Sequence, residues 1–519
     1  MRKIVAGLSA TAVGLGVALL GPVAQAQAGT GWTEAGARQH VARRAADVPQ
    51  DVAGIEWKRC KRKDLKKLEC GTLAVPLDHD DPHGKKITIA LTRKKHTVPQ
   101  SEYKGILLMN PGGPGGSGLD LPTGFAGTPA AKAAAAYDVI GFDPRGVGAS
   151  RPSLKCVPED RKALPYSVPD TAKEERFWLN RAKRIAQSCA KKYGWMLPYM
   201  RTEDTARDMD YIRAALGQER LSFLGYSWGT LLGMTYATLF PERVDRMVLD
   251  SVVDPSKTWY ELNFAQNIAF EKRVTEFFTW LAEHDSVYRL GATPEEVRAT
   301  YDRLRSRLKK KPLADGLLGP AELDDMIVQL AYHDATWPPI GTHLRRWKKG
   351  DSFGFELTWA LLHFQEGQGD GVFLATSCSE TPYPKDWRTW RRDTAASHRI
   401  APFASWGNTL GSLPCLFWPV QHESRLRISG DGLPPILMVQ STNDPATPYA
   451  GALAAHDLFP SSRLILEENG GNHGLSLSGN KCVDRHVANY LTTGAVPADK
   501  PGPDATCAPV PPKAEKVKD

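Results

Sequence analysis

Leu221-Ser222-Phe223-Leu224-Gly225-Tyr226-Ser227-Trp228-Gly229 decides how this chain is read. An apolar run enters the pentapeptide Gly225 to Gly229, and a helix-like segment, Thr230 to Phe240, leaves it. A G-x-S-x-G sequence carries chemistry when a strand passes into a helix through a turn so tight that its flanks must be glycine. The serine hydroxyl then stands exposed above a sheet. The chain supplies its own control in Gly350-Asp351-Ser352-Phe353-Gly354, which matches the same pattern. Ser352 follows Arg345-Arg346-Trp347-Lys348-Lys349, too charged for a buried parallel strand, so it is expected on a solvated loop.

A serine nucleophile needs a base, and the base needs a carboxylate that holds its tautomer and stabilises the imidazolium. Pro434 to Gln440 reads as a buried strand and runs into Ser441-Thr442-Asn443-Asp444-Pro445, which places Asp444 just past a strand end as the acid. Arg463 to Glu467 is the next strand, followed by Asn469-Gly470-Gly471-Asn472-His473-Gly474, which puts His473 on a glycine-rich loop as the base. Asp250 and Asp254, after the strand-like Val244 to Leu249, are rivals for the acid and are read as turn or pocket-lining residues. A tetrahedral intermediate requires two preorganised donors for its oxyanion. Asn110-Pro111-Gly112-Gly113-Pro114-Gly115-Gly116-Ser117-Gly118, after the strand Gly105 to Leu108, supplies a loop for this purpose. The N–H groups of Gly113 and Trp228 are assigned to the oxyanion. The loop lacks the lysine of a P-loop and the spacing of a dinucleotide fingerprint, so phosphate binding is not expected. Tyr137 to Gly146 reads as a further strand ending in a polar turn, scaffold close to the site.

The order Ser, Asp, His, with each residue at the carboxyl end of a strand, is that of an α/β-hydrolase: a mostly parallel central sheet flanked by helices. Four stretches together carry a closer resemblance. They are the loop Asn110 to Gly118, the turn Phe142-Asp143-Pro144-Arg145-Gly146-Val147-Gly148, the elbow with Trp228, and Asn443-Asp444-Pro445-Ala446-Thr447-Pro448. Over roughly residues 50 to 510 the chain resembles the secreted bacterial tripeptidyl aminopeptidases, relatives of the proline iminopeptidases. The resemblance implies a serine exopeptidase that removes short peptides, commonly tripeptides, from a free amino terminus. Proline iminopeptidases carry a histidine before the Gly-Gly-Pro of this loop, where this chain has Pro111, and the difference favours the tripeptidyl branch.

Between the strand near Leu249 and that near Ile436 the pattern is helical and tryptophan-rich, too long for a loop. Residues 256–410 are therefore expected to form a helical cap inserted between core segments 50–255 and 411–510, with a disordered tail at 511–519. An aminopeptidase must hold the substrate's α-ammonium group with a carboxylate at a fixed distance from the nucleophile. Glu380, beside Cys378 on the cap, is the candidate. Two other functions share the triad: a secreted carboxylesterase and a proline iminopeptidase-like aminopeptidase. A catalytically silent binding protein on the same scaffold would have no physical need for all three groups.

Met1-Arg2-Lys3, an apolar run to about Leu20 and the small-residue sites Ala24-Gln25-Ala26 and Ala26-Gln27-Ala28 read as a secretory leader over 1–28. Residues 29–49 are either a removable pro-segment or a disordered arm. Export agrees with an even set of eight cysteines, Cys60, Cys70, Cys156, Cys189, Cys378, Cys415, Cys482 and Cys507, without metal-site spacing. Sequence cannot choose among their connectivities. Pairing neighbours in order (60 with 70, 156 with 189, 378 with 415, 482 with 507) closes four modest loops and is the expected set. A formal charge of +8, two of it on Arg2 and Lys3, is too dilute for a nucleic-acid partner. The basic run Arg303 to Lys311 reads as a solvated helix end. A secreted, extracellular monomer acting on peptides with free amino termini is expected, with no cofactor, no metal and no membrane span.

Overall fold

Central apolar runs such as 106–110 and 436–441 become strands of a sheet that has ten strands among the described residues, lying side by side in the order 58–59, 69–76, 86–94, 138–143, 106–110, 221–226, 244–250, 436–441, 462–467 and 505–507. A computed structural model describes residues 52, 54–158, 160, 162–366 and 370–514. The segments expected as a leader (1–28) and an arm (29–49), and positions 515–519 of the expected tail, lie outside the described residues. The first three strands, β1 (Lys58–Arg59), β2 (Glu69–Pro76) and β3 (Lys86–Lys94), pair antiparallel, and β3 pairs antiparallel with β5 (Asp138–Asp143). From there on the sheet is parallel: β4 (Ile106–Asn110), β6 (Leu221–Tyr226), β7 (Val244–Asp250), β8 (Ile436–Ser441), β9 (Ser462–Glu467) and β10 (Ala505–Cys507).

Every residue of β4 and of β8 is buried, as continuous apolar sequence demands of strands covered on both faces. One cover is the helix Lys481–Thr493, whose Val483, Val487, Tyr490 and Leu491 pack on Leu107, Val248, Leu437 and Ile465. Truncating one such leucine to alanine costs about 2–5 kcal/mol. After β4 the chain lays β5 on one side of it and β6 on the other. This reversal opens a crevice beyond the carboxyl ends of β4 and β6, where parallel sheets receive ligands.

Between β7 and β8 the regular structure of the described residues is helical, from Trp259–Glu283 through Ser405–Ser412 to Leu413–Phe417. Thr258 and Glu261 start it with a reciprocal capping box. Its tryptophan-rich sequence forms a core of its own, in which Phe270, Val274, Phe277 and Leu281 pack with Trp337 and Ile340. Disulfides join Cys60 to Cys70, Cys156 to Cys189, Cys378 to Cys415 and Cys482 to Cys507, leaving no free cysteine among the described residues. At the carboxyl end, β10 adds a strand that the sequence reading did not foresee. Beyond it Ala514, placed by that reading in a disordered tail, packs against the core of the helical insertion. Among the described residues no helix is long and apolar enough to cross a membrane.

Candidate active site

Ser227 stands between β6 and the helix Trp228–Leu239 with φ 56° and ψ −126°. A non-glycine residue in that region is strained, and the surroundings must hold it there. The two flanking glycines show how. A Cβ on Gly225 would lie 2.5 Å from the Gly229 carbonyl oxygen, and one on Gly229 would lie 2.9 Å from the Asn110 carbonyl oxygen. The Ser227 N–H donates to the Asp250 carbonyl at 3.0 Å, which ties the turn to the end of β7.

The glycine loop after β4 closes on this turn. Gly112, at φ +88°, approaches so closely that a Cβ there would meet the Tyr226 carbonyl oxygen at 2.4 Å and the Ser227 Cβ at 2.9 Å. Its N–H donates to Asn110 Oδ1 at 2.9 Å. Gly113, the next residue, lines one cavity with Ser227 and Trp228. The turn after β5 is scaffold beside this region: the buried Arg145 guanidinium donates to both carboxylate oxygens of Asp208 and to the carbonyls of Leu77 and Tyr199.

Asp444 follows β8 and His473 follows β9. The imidazole Nδ1 lies 3.0 and 2.9 Å from the two carboxylate oxygens of Asp444. The same carboxylate accepts from the N–H groups of Ala446 and Thr447 and from the Thr447 hydroxyl, each at 2.9 Å. Burial alone would raise the Asp444 carboxyl, but the charge and hydrogen bond of His473 outweigh it and the carboxyl lies below its ordinary value. For His473 burial favours the neutral ring, and the facing Asp444 carboxylate reverses this and raises the imidazole above its ordinary value. An imidazole held through Nδ1 by a buried carboxylate presents Nε2 for proton transfer.

Asp250, read from sequence as a turn or pocket residue, has another place. It is fully buried, and its carboxylate accepts from the N–H groups of Leu475 and Ser476 and from the Ser251 hydroxyl. Side chain and carbonyl together link the loop of His473 to the turn of Ser227. Tyr226 adds a second link, its hydroxyl donating to the Ser476 carbonyl at 2.9 Å. No local motif marks this role, since it exists only once β6, β7 and the loop after β9 are assembled. Asp254 does line the cavity, paired with Lys257.

Glu380, expected on the wall that meets a substrate amine, sits instead behind that wall. It is 2% exposed, with its carboxylate accepting from the Trp259 indole at 2.6 Å and from the Thr202 N–H at 3.3 Å. Thr202 in turn accepts from the Trp228 indole, so Glu380 joins the insertion to the elbow. Ser352 precedes the helix Phe353–Glu366, half-buried rather than solvated, and its hydroxyl donates to Glu356 at 2.7 Å. The charged segment before it is the end of a helix, Trp337–Lys348. In the basic run, Arg305 pairs with Asp324 rather than with solvent alone. Cys482, His486 and Cys507 bring potential ligand atoms within 4.8 Å, but both sulfurs are consumed in a disulfide and offer no thiolate.

The cavity beside Ser227 has a volume of about 550 Å³. Its walls come from the sheet side, with Gly113, Ser227 and Thr447, and from the insertion, with Leu262, Gln266, Phe270 and Phe373. Two exposed carboxylates of the insertion, Asp325 and Asp370, lie on the same walls. Size and lining suit a small peptide or ester better than a folded protein chain.

The sequence matches the α/β hydrolase fold family over residues 105–477. It is 42% identical to a tripeptidyl aminopeptidase of Streptomyces coelicolor over 88% of this chain and 86% of that protein. It is 32% identical to the serine protease Hip1 of Mycobacterium tuberculosis over 85% of this chain and 89% of that one. Carboxylesterase B of the same organism is 29% identical over 85% and 88%. The chain is thus a member of the α/β-hydrolase family, in the group that contains the Streptomyces tripeptidyl aminopeptidases.

Proposed function

We propose that this protein is a secreted serine exopeptidase that releases tripeptides from free amino termini through an acyl-enzyme, with Ser227 as nucleophile, His473 as base and Asp444 as its carboxylate. The observation that carries the reading is His473 held by the buried Asp444 carboxylate on the same sheet edge as a serine strained out of its turn toward a cavity. In this mechanism His473 Nε2 takes the Ser227 proton as Oγ attacks the scissile carbonyl. The oxyanion rests on the N–H groups of Gly113 and Trp228, and the imidazolium then gives its proton to the departing amine. Water repeats the sequence on the ester and frees the tripeptide.

The substrate ammonium requires a carboxylate at a set distance from Ser227. Asp325 and Asp370, exposed on the cavity walls, meet that need better than the enclosed Glu380. Four disulfides suit an oxidising, extracellular compartment. The likeness to carboxylesterase B favours a second reading, an esterase with the same triad. Incubation with an unblocked peptide of about ten residues and its amino-acetylated twin, read by mass spectrometry, separates the two. Stepwise tripeptide loss from the unblocked peptide alone is the expected result. Cleavage of neither, with hydrolysis of a small ester retained, would replace the peptidase by the esterase.

A further inference from the structure

Arg273 is a buried cation that has no role in the acyl transfer just described. It lies on the insertion helix Trp259–Glu283 and is 3% exposed. Burying a guanidinium costs several kcal/mol unless its donors are met. Here one donor meets Asp334, a second meets Glu276 at 2.9 Å, a third meets the Ala331 carbonyl at 3.2 Å, and the group lies over the Trp337 ring. The fork therefore fixes the segment Ala331 to Asp334 at both ends.

That segment is what touches the base. The His473 N–H donates to the Tyr332 carbonyl at 2.9 Å, and the Tyr332 ring meets the imidazole edge-on, with centroids 5.1 Å apart. The Asp334 N–H donates to Asn472 Oδ1 at 2.7 Å. The guanidinium also presses on the base loop directly: a Cβ on Gly471 would fall 2.4 Å from its central carbon. The same helix reaches the acid loop, with Gln266 donating to the Ala446 carbonyl and Lys272 to Asn443 Oδ1, both at 2.6 Å.

We propose that Arg273 is a positioning residue for the His473 base, setting the imidazole against Asp444 through the segment Ala331 to Asp334, so that the insertion completes the triad as well as covering it. The inference rests on the reading of His473 as the base. A purely structural ion pair within the insertion would have no reason to press on Gly471, to end on the residue that grips Asn472, or to hold Ala331 beside the Tyr332 that grips His473.

The test uses the full chain with Arg273→Lys, which keeps the charge and loses the fork, and Asp334→Asn, which keeps the shape and loses the partner charge. Each variant is assayed with a tripeptide p-nitroanilide and with a p-nitrophenyl ester, beside its thermal unfolding midpoint. The expected result is a fall in kcat of about 10- to 100-fold on both substrates, the size of effect that a small misplacement of a catalytic group produces, with KM little changed. The acid limb of the pH profile should also move. The titratable and charged groups around His473 are Asp444 and Asp250 from the sheet side and Tyr332, His333, Asp334 and Arg273 from the insertion. Asp444 raises the imidazole against burial, so loosening their contact leaves burial in control and carries the limb to lower pH. Folded variants with unchanged kcat and an unmoved limb, or with only a lower unfolding midpoint, would overturn the inference while leaving the triad intact. Should Arg273→Lys fail to fold, Asp334→Asn decides alone. Activity surviving in His473→Ala would instead remove the mechanism on which the inference stands.

Discussion

The two halves of the site are held by different parts of the molecule. On the nucleophile side Ser227 is fixed by the sheet itself: glycines at 225 and 229 admit the close turn, Gly112 backs it and the Asp250 carbonyl ties it down. On the base side the loops of Asp444 and His473 are gripped from the insertion by Gln266, Lys272, Tyr332 and Asp334. The first half is rigid because backbone meets backbone. The second is anchored to the sheet through Asp250 and Tyr226 but depends also on the docking of the insertion, so geometry at the base and coverage of the cavity are coupled properties.

Substitutions can break or sharpen this contrast. Ser227→Ala should lower kcat by about 10⁶-fold without loss of fold, the scale at which removing the nucleophile abolishes a triad; product release measured on purified folded variant checks it. Asp444→Asn should cost about 10⁴-fold, and the residual activity should persist to lower pH than in the parent, because the carboxylate that chiefly raises His473 is gone and burial then outweighs the smaller influence of Asp250. A pH–rate profile on the variant gives both numbers. Gly112→Ala, confined to the nucleophile half, should cut kcat by about 10²–10³-fold with little change in KM, since the added carbon displaces the oxyanion loop. The acid limb should stay where it is, unlike that of variants on the base side.

Asp250→Asn touches both halves at once. An amide would turn a donor toward the N–H groups of Leu475 and Ser476, at a cost of about 1.5–3 kcal/mol in stability for the lost charged hydrogen bonds. Thermal unfolding reads this directly, and an unchanged midpoint would mean that the two loops are held independently. Ser352→Ala, at the second G-x-S-x-G, should leave turnover unchanged in the same assay.

The sheet and the elbow were legible because their signals are local. Val439 and its neighbours in β8, Leu107 in β4 and Phe223 in β6 announce buried parallel strands by composition, and glycine spacing announces the turn. The Asp444 and His473 loops were legible through order along the chain. What could not be read is every interaction that depends on how the insertion sits. Glu380 reads as a carboxylate for the substrate amine because nothing near it in sequence reveals the Trp259 indole or the Thr202 N–H that it meets across the fold. Asp250 looked like a turn residue because its partners follow it by more than two hundred positions. The short β10 escaped because Ala505–Cys507 has no apolar run, and only its neighbour β9 makes it a strand.

The four disulfides bear on how such a chain reaches this state. Their spans, 60 to 70, 156 to 189, 378 to 415 and 482 to 507, follow one another without overlap or nesting. A polypeptide delivered amino end first can therefore close each loop before the cysteines of the next become available. Order of arrival along the chain is then enough to give these four pairs, without any bridge waiting for the sheet, the insertion or the triad to assemble.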